Sequence, residues 1–169
     1  MTQSIEDIEK DYWGEPEFAS RLVSTCHALR RKPLDRFTVE DLRVMIGQNL
    51  SLPILMPMAL DRLRADPLAE GDHYPGDLLF SVLRCRFVAE AAWADTHETL
   101  KSICERAVVA MRQLIEDDLC SCLTDDPADA AGLDREAMEG LVSQNLDQAF
   151  KGPPMSDVAA FLNRAAGEA

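Results

Sequence analysis

Three groupings in this chain carry side chains able to do chemistry. Cys26 and His27 are a thiol beside an imidazole, the residue types of a nucleophile and its base. Adjacent residues point about 100° apart on a helix, so the two cannot serve one another there. A buried thiol beside a surface or capping histidine is the plainer reading. Cys120 and Cys122 form a lone C-x-C near a helix end. A zinc site wants about four ligands, usually from two such knuckles, and no second knuckle is present. Asp72, His73 and Asp77 combine two carboxylates with an imidazole, a set that can exchange protons with a substrate. Turn chemistry accounts for them as well, with Asp72 bonding its own loop and Asp77 capping the next helix. From this loop Asp72, Tyr74 and Asp77 stand as secondary candidates for partner contact. No phosphate-cradling glycine loop, G-x-S-x-G elbow or H-E-x-x-H run occurs. No catalytic residue, cofactor or metal is therefore assigned.

Charge is a stronger signal. The chain has 17 basic and 30 acidic residues and a net charge of -13. From Met111 onward, twelve acidic residues face only four basic ones. Glu116, Asp117 and Asp118 lie close to the expected end of a helix, where the macrodipole disfavours each carboxylate by roughly a few tenths of a kcal/mol. Asp118 follows Met111 by seven residues, which places it near the apolar face. Asp125, Asp126 and Asp129 follow. A local rule broken three times running marks either a solvated, frayed helix end or a surface with a use. Such acidity disfavours direct binding to nucleic acid or to an anionic membrane. It suits a basic partner, and equally plain solubility.

The elements that must hold these residues are helical. Ser4 with Asp7 caps a first helix to about Tyr12, which Gly14 and Pro16 break. A second is expected over 17–31, with Phe18, Leu22, Cys26 and Leu29 on one face and Pro33 as its stop. Thr38 with Asp41 opens a third, carrying Leu42, Met45 and Ile46. Pro53 suits the start of a fourth, and Pro57 one turn later should kink or delay it. Ile54, Leu55, Met58, Leu60 and Leu63 should be largely buried. Residues 66–76 form the clearest loop. Leu79, Phe80, Leu83 and Phe87 then share a face, and Asp95 with Glu98 restarts helix. A 3.6-residue period from Leu100 to Ile115 follows, closed by Asp125, Asp126 and Pro127. Another helix over 133–150 should bury Ala137, Met138, Leu141, Val142 and Leu146. After Pro153 and Pro154 a last one carries Val158, Phe161 and Leu162. The expectation is an all-α, compact bundle of seven to eight helices in a single domain, 1–169.

Cys26, Cys85, Cys104, Cys120 and Cys122 are odd in number and scattered, which fits reduced core thiols. No charged-then-apolar leader opens the chain. No apolar run reaches the roughly 18–20 residues of a membrane span, so a soluble, cytoplasmic protein is expected.

Four runs between residues 11 and 83 have the look of a signature: WGEP at 13–16, CHALRRKPL at 26–34, FTVEDLRVMIGQNLSLP at 37–53 and DPLAEGDHYPGDLL at 66–79. In order and spacing they resemble the immunity proteins of bacterial contact-dependent growth inhibition (CDI) systems. The resemblance implies a small cytoplasmic protein, without turnover or cofactor, that binds the C-terminal toxin domain delivered by a neighbouring cell. Many such toxins are nucleases, and the acidity favours a basic one. Toxins differ between systems, so the shared runs should build scaffold and the remainder should choose the partner. Glu116, Asp117, Asp118, Asp125, Asp126 and Asp129 are then the candidate toxin-binding carboxylates. A helical enzyme built on Asp72, His73 and Asp77, or a helical adaptor without a toxin, are the alternatives.

Overall fold

The computed structural model describes residues 3–16, 20–86, 94–125 and 135–167. Among them are eight α-helices: α1 (Ile5–Glu9), α2 (Arg21–Arg31), α3 (Val39–Gly47), α4 (Leu52–Ala65), α5 (Asp77–Arg84), α6 (Ala94–Asp125), α7 (Arg135–Ala149) and α8 (Met155–Gly167). The only extended pairing among the described residues is an isolated bridge between Ser4 and Pro33. The protein is all-α, as its periodicity predicts. Its residues form two compact units, Met1–Thr96 and His97–Ala169.

In the first unit the two expected capping boxes form. The Ser4 hydroxyl accepts from the Asp7 amide at 3.3 Å, and the Asp7 carboxylate accepts from the Ser4 amide at 3.0 Å. The Ser4 backbone and hydroxyl hold the Asp7 carboxyl below its usual range. Thr38 and Asp41 repeat the arrangement at 3.2 and 2.8 Å, and Lys32 bonds the same Asp41 carboxylate. Helix α1 stops at Glu9, short of Tyr12, because Lys10 turns left-handed at φ 57°. Helix α2 begins only at Arg21, where the Ser20 hydroxyl accepts from the Val23 amide. Leu22 therefore falls in its first turn and is exposed, while Cys26 and Leu29 are buried. Phe18 and Phe87 lie outside the described residues.

Helix α3 is the hub and touches α2, α4 and α5. It buries Leu42, Met45 and Ile46 against Leu55, Met56 and Leu63 of α4 and Leu78, Leu79 and Val82 of α5 in the core. Each such side chain contributes about 1.5–3 kcal/mol by leaving water. Pro53 is the second residue of α4, not the first, and the helix runs on through Pro57. The N–H that Pro57 lacks would have reached only Pro53, in the first turn, so a single backbone bond is forgone. Ile54 and Met58 are half-buried, less covered than their pattern implies.

In the second unit α6 is 32 residues long. It buries Leu100, Ile103, Cys104 and Ala107. Burial pushes the Cys104 thiol up to about 12, so it is an inert core group. Helix α8 buries Met155, Val158 and Phe161, and the His97 ring meets Phe161 edge-on at 5.4 Å. Helix α7 is less covered than expected. Val142 is buried, but Met138, Leu141 and Leu146 are half-buried and Ala137 is exposed. No described helix is long and apolar enough to cross a membrane.

Candidate functional site

The 70–77 loop is an internally consumed structure. Asp77, 1% exposed, accepts from the Gly71 amide at 2.7 Å and the His73 amide at 3.2 Å. Glu40 of α3 accepts from the Asp72 amide at 3.1 Å. Arg43 grips Glu40 through Nε and one terminal nitrogen, each at 2.6 Å, and its Nε lies 3.6 Å from Asp77. The Arg43 hydrogen bond holds the Glu40 carboxyl below its ordinary range, and that bond raises the Arg43 guanidinium in turn. Gly71 sits in a crowded place: a Cβ there would lie 2.5 Å from Glu40 Oε2 and 3.0 Å from Asp77 Oδ2, so the carboxylates would have to shift. Gly76 supplies φ 86° where the chain enters α5.

This geometry decides what the loop side chains can do. Asp77 does not cap α5; the N-cap is Gly76, and the buried Asp77 oxygens turn back to the loop amides. His73 meets Asp77 through its backbone amide, so Asp72, His73 and Asp77 do not assemble as a proton-transfer set. Asp72 and His73 are exposed, and half-buried Tyr74 sets its ring edge against Phe80 at 6.4 Å.

A second polar cluster sits under the WGEP run. Arg30 of α2 is 2% exposed. It donates to Glu9 at 2.6 Å, to the Asp11 carbonyl at 2.8 Å and to Ser51 at 3.4 Å. Its guanidinium lies 4.2 Å from the Trp13 ring centre, and the His27 ring meets Trp13 at 5.0 Å. Arg30 Nε and His27 Nδ1 are buried without a hydrogen-bond partner. Both side chains rest against Trp13, whose ring faces offer no lone pair. Arg31 reaches the Trp13 carbonyl at 3.1 Å. Cys26 points into the core and His27 towards Trp13, so the thiol and the imidazole do not meet. Burial raises the Cys26 thiol.

A model of the CDI immunity protein family matches residues 7–103, more than half of the chain. The chain belongs to that family. No curated protein and no solved structure matches it. The matched segment contains both polar clusters, the Thr38–Asp41 capping box and all of α2–α5, and it begins inside α1. In this CDI immunity protein the recognisable runs build caps, clamps and core. Membership implies immunity to a CDI toxin.

Past residue 103 lie the candidate carboxylates. Glu116, Asp117 and Asp118 are inside α6, which continues to Asp125. They are not at a helix end, and the macrodipole is weak that far from it. Glu116 accepts from Arg112 at 2.9 Å and Asp117 from Gln113 at 2.9 Å, both one turn back. Asp117 and Asp118 are exposed and Glu116 is half-buried. Successive residues on one helix diverge by about 100°, so the three do not share a face. Asp125 ends the helix, and Asp126 and Asp129 lie outside the described residues, as does Pro127. Of the thiols, Cys26, Cys85 and Cys104 are buried and form no disulfide. The described residues hold no His/Cys/Asp/Glu group suited to a metal. An open concavity of about 470 Å³ runs along the end of α7, lined by Gln144, Asn145, Asp147, Gln148 and Lys151. Arg30, Glu40 and Arg43 are the residues that sequence reasoning missed. The partners of Arg30 and the loop partners of Glu40 and Arg43 are distant in sequence, and only the Glu40–Arg43 pair, three residues apart, was local.

Proposed function

We propose that this CDI immunity protein neutralises a basic toxin domain of the nuclease class, in the cytoplasm, by covering its phosphate-binding surface. The docking surface is the acidic second half of α6 and the chain that follows, with Asp117 and Asp118 as central carboxylates. Glu116, Asp125, Asp126 and Asp129 extend the same field. The observation that carries the reading is the exposure of Asp117 and Asp118 on a regular helix, beyond the family-matched segment, in the most acidic third of the chain. A nuclease must attract phosphates, so a carboxylate array is drawn to the same groups and blocks them. The same field repels nucleic acid from the immunity protein itself. Asp72 and Tyr74, held up by the clamped loop, are a secondary contact, with Asp77 shaping their backbone.

The test is association kinetics with the C-terminal toxin domain of the cognate CDI effector. Asp117→Lys with Asp118→Lys should slow association about tenfold or more at low salt, with the effect shrinking as salt rises. Unchanged association at low salt would refute the acidic docking surface.

A further inference from the structure

The apolar stripe of α6 does not end where its burial ends. Leu100, Ile103, Cys104 and Ala107 are buried. One and two turns on, the same face continues through Met111, Leu114 and Ile115, as a spacing of three and four residues requires. There the cover is lost: Met111 and Ile115 are half-buried, and Leu114 is 40% exposed. The next position on this face is Asp118, seven residues after Met111 and exposed. Asp117 stands on its shoulder, while Glu116 points away and is tied to Arg112. Val109, 69% exposed, marks the opposite side of the helix.

We propose that Met111, Leu114 and Ile115 form the apolar anchor of the toxin interface, with Asp118 closing its end. The occupant is a segment of the toxin carrying apolar side chains flanked by a lysine or arginine. This rests on the reading above and deepens it. Carboxylates steer an encounter but supply little residence time, whereas desolvated apolar contacts at an interface centre set dissociation. Charge selects the occupant. A second copy seated on this face would bring Asp117 and Asp118 near their own equivalents, in a third of the chain with twelve acidic residues against four basic. A basic-flanked segment pairs instead with Asp118, and its apolar side chains cover Leu114.

The experiment uses the full chain and a catalytically inactivated toxin domain. Leu114→Ser should raise the dissociation rate about tenfold or more with association nearly unchanged, and Val109→Ser should change neither. Hydrogen exchange on the wild-type complex, which needs no variant, should show new protection across 110–119. Charge-dependent association with an unaltered dissociation rate in Leu114→Ser and no protection at 110–119 would overturn the anchor and leave the acidic reading standing. Association indifferent to Asp117 and Asp118, together with a dissociation rate indifferent to Leu114, would overturn both. A free protein that is dimeric, and that Leu114→Ser makes monomeric, would assign this face to a second copy and overturn the proposal.

Discussion

Replacing Gly71 by alanine adds a single methyl group, and the structure sets its cost. The new Cβ falls 2.5 Å from Glu40 Oε2 and 3.0 Å from Asp77 Oδ2. Neither oxygen is free to retreat. Glu40 is held by two Arg43 nitrogens at 2.6 Å, and Asp77 by two loop amides in a site 1% exposed. Relief must break at least one hydrogen bond to a carboxylate, worth about 1.5–3 kcal/mol. Displacing packed neighbours adds about 1 kcal/mol at the low end. The expected loss is about 2–4 kcal/mol. Urea denaturation should show it as a lower midpoint at constant slope. Glu40→Ala removes the tightest contact, so alanine at position 71 should cost about 1 kcal/mol less in that background, a coupling that a double-mutant cycle reads directly. A Gly71→Ala protein within about 0.5 kcal/mol of wild type, or strictly additive effects with Glu40→Ala, would refute the clamp.

Two other outcomes follow from the polar clusters. Arg30→Met should destabilise by about 1–3 kcal/mol, below the roughly 3–5 kcal/mol of a fully buried pair because Glu9 and Asp11 stay partly solvated, and Arg30→Lys should recover less than half; denaturation midpoints measure both. The Glu40 carboxyl is lowered from its ordinary 4.5 in the folded state, so its stabilisation is complete above that value and is lost as pH falls through the depressed one. Thermal melts from pH 6 to 3 should therefore fall less steeply for Glu40→Gln than for wild type.

Features that depend on near neighbours were legible in the sequence. Both capping boxes join residues three apart, and their partners can be read off side by side. The stripe of α6 was equally visible as a period. Arg30 was not, because its partners lie 19 and 21 residues away and nothing local demands burial of an arginine. Glu40 reaches the Asp72 amide across 32 residues, so Asp77 read as a helix cap when it is an inward ligand for loop amides. Glu116, Asp117 and Asp118 read as lying near the close of a helix that Asp125, Asp126 and Pro127 end, where the dipole disfavours three carboxylates in a row. The helix extends past them, and side-chain bonds to Arg112 and Gln113 accommodate two of the three. The acidity of this stretch was legible in the composition, whereas its division between helix faces needed the helix to be seen as unbroken.

The unbroken helix also sets a rule for how this protein can vary. At 32 residues α6 is a rod about 48 Å long, and it carries the chain across residue 103 without a loop. A loop absorbs an inserted or deleted residue, but a rod transmits it. Losing one residue between Ala107 and Met111 turns everything beyond by about 100° and exchanges Leu114 for its neighbour. Losing seven returns nearly the same face, two turns nearer the core. Point substitutions can therefore retune the distal end, whereas changes of length keep the face only near whole numbers of turns, such as about seven or eleven residues.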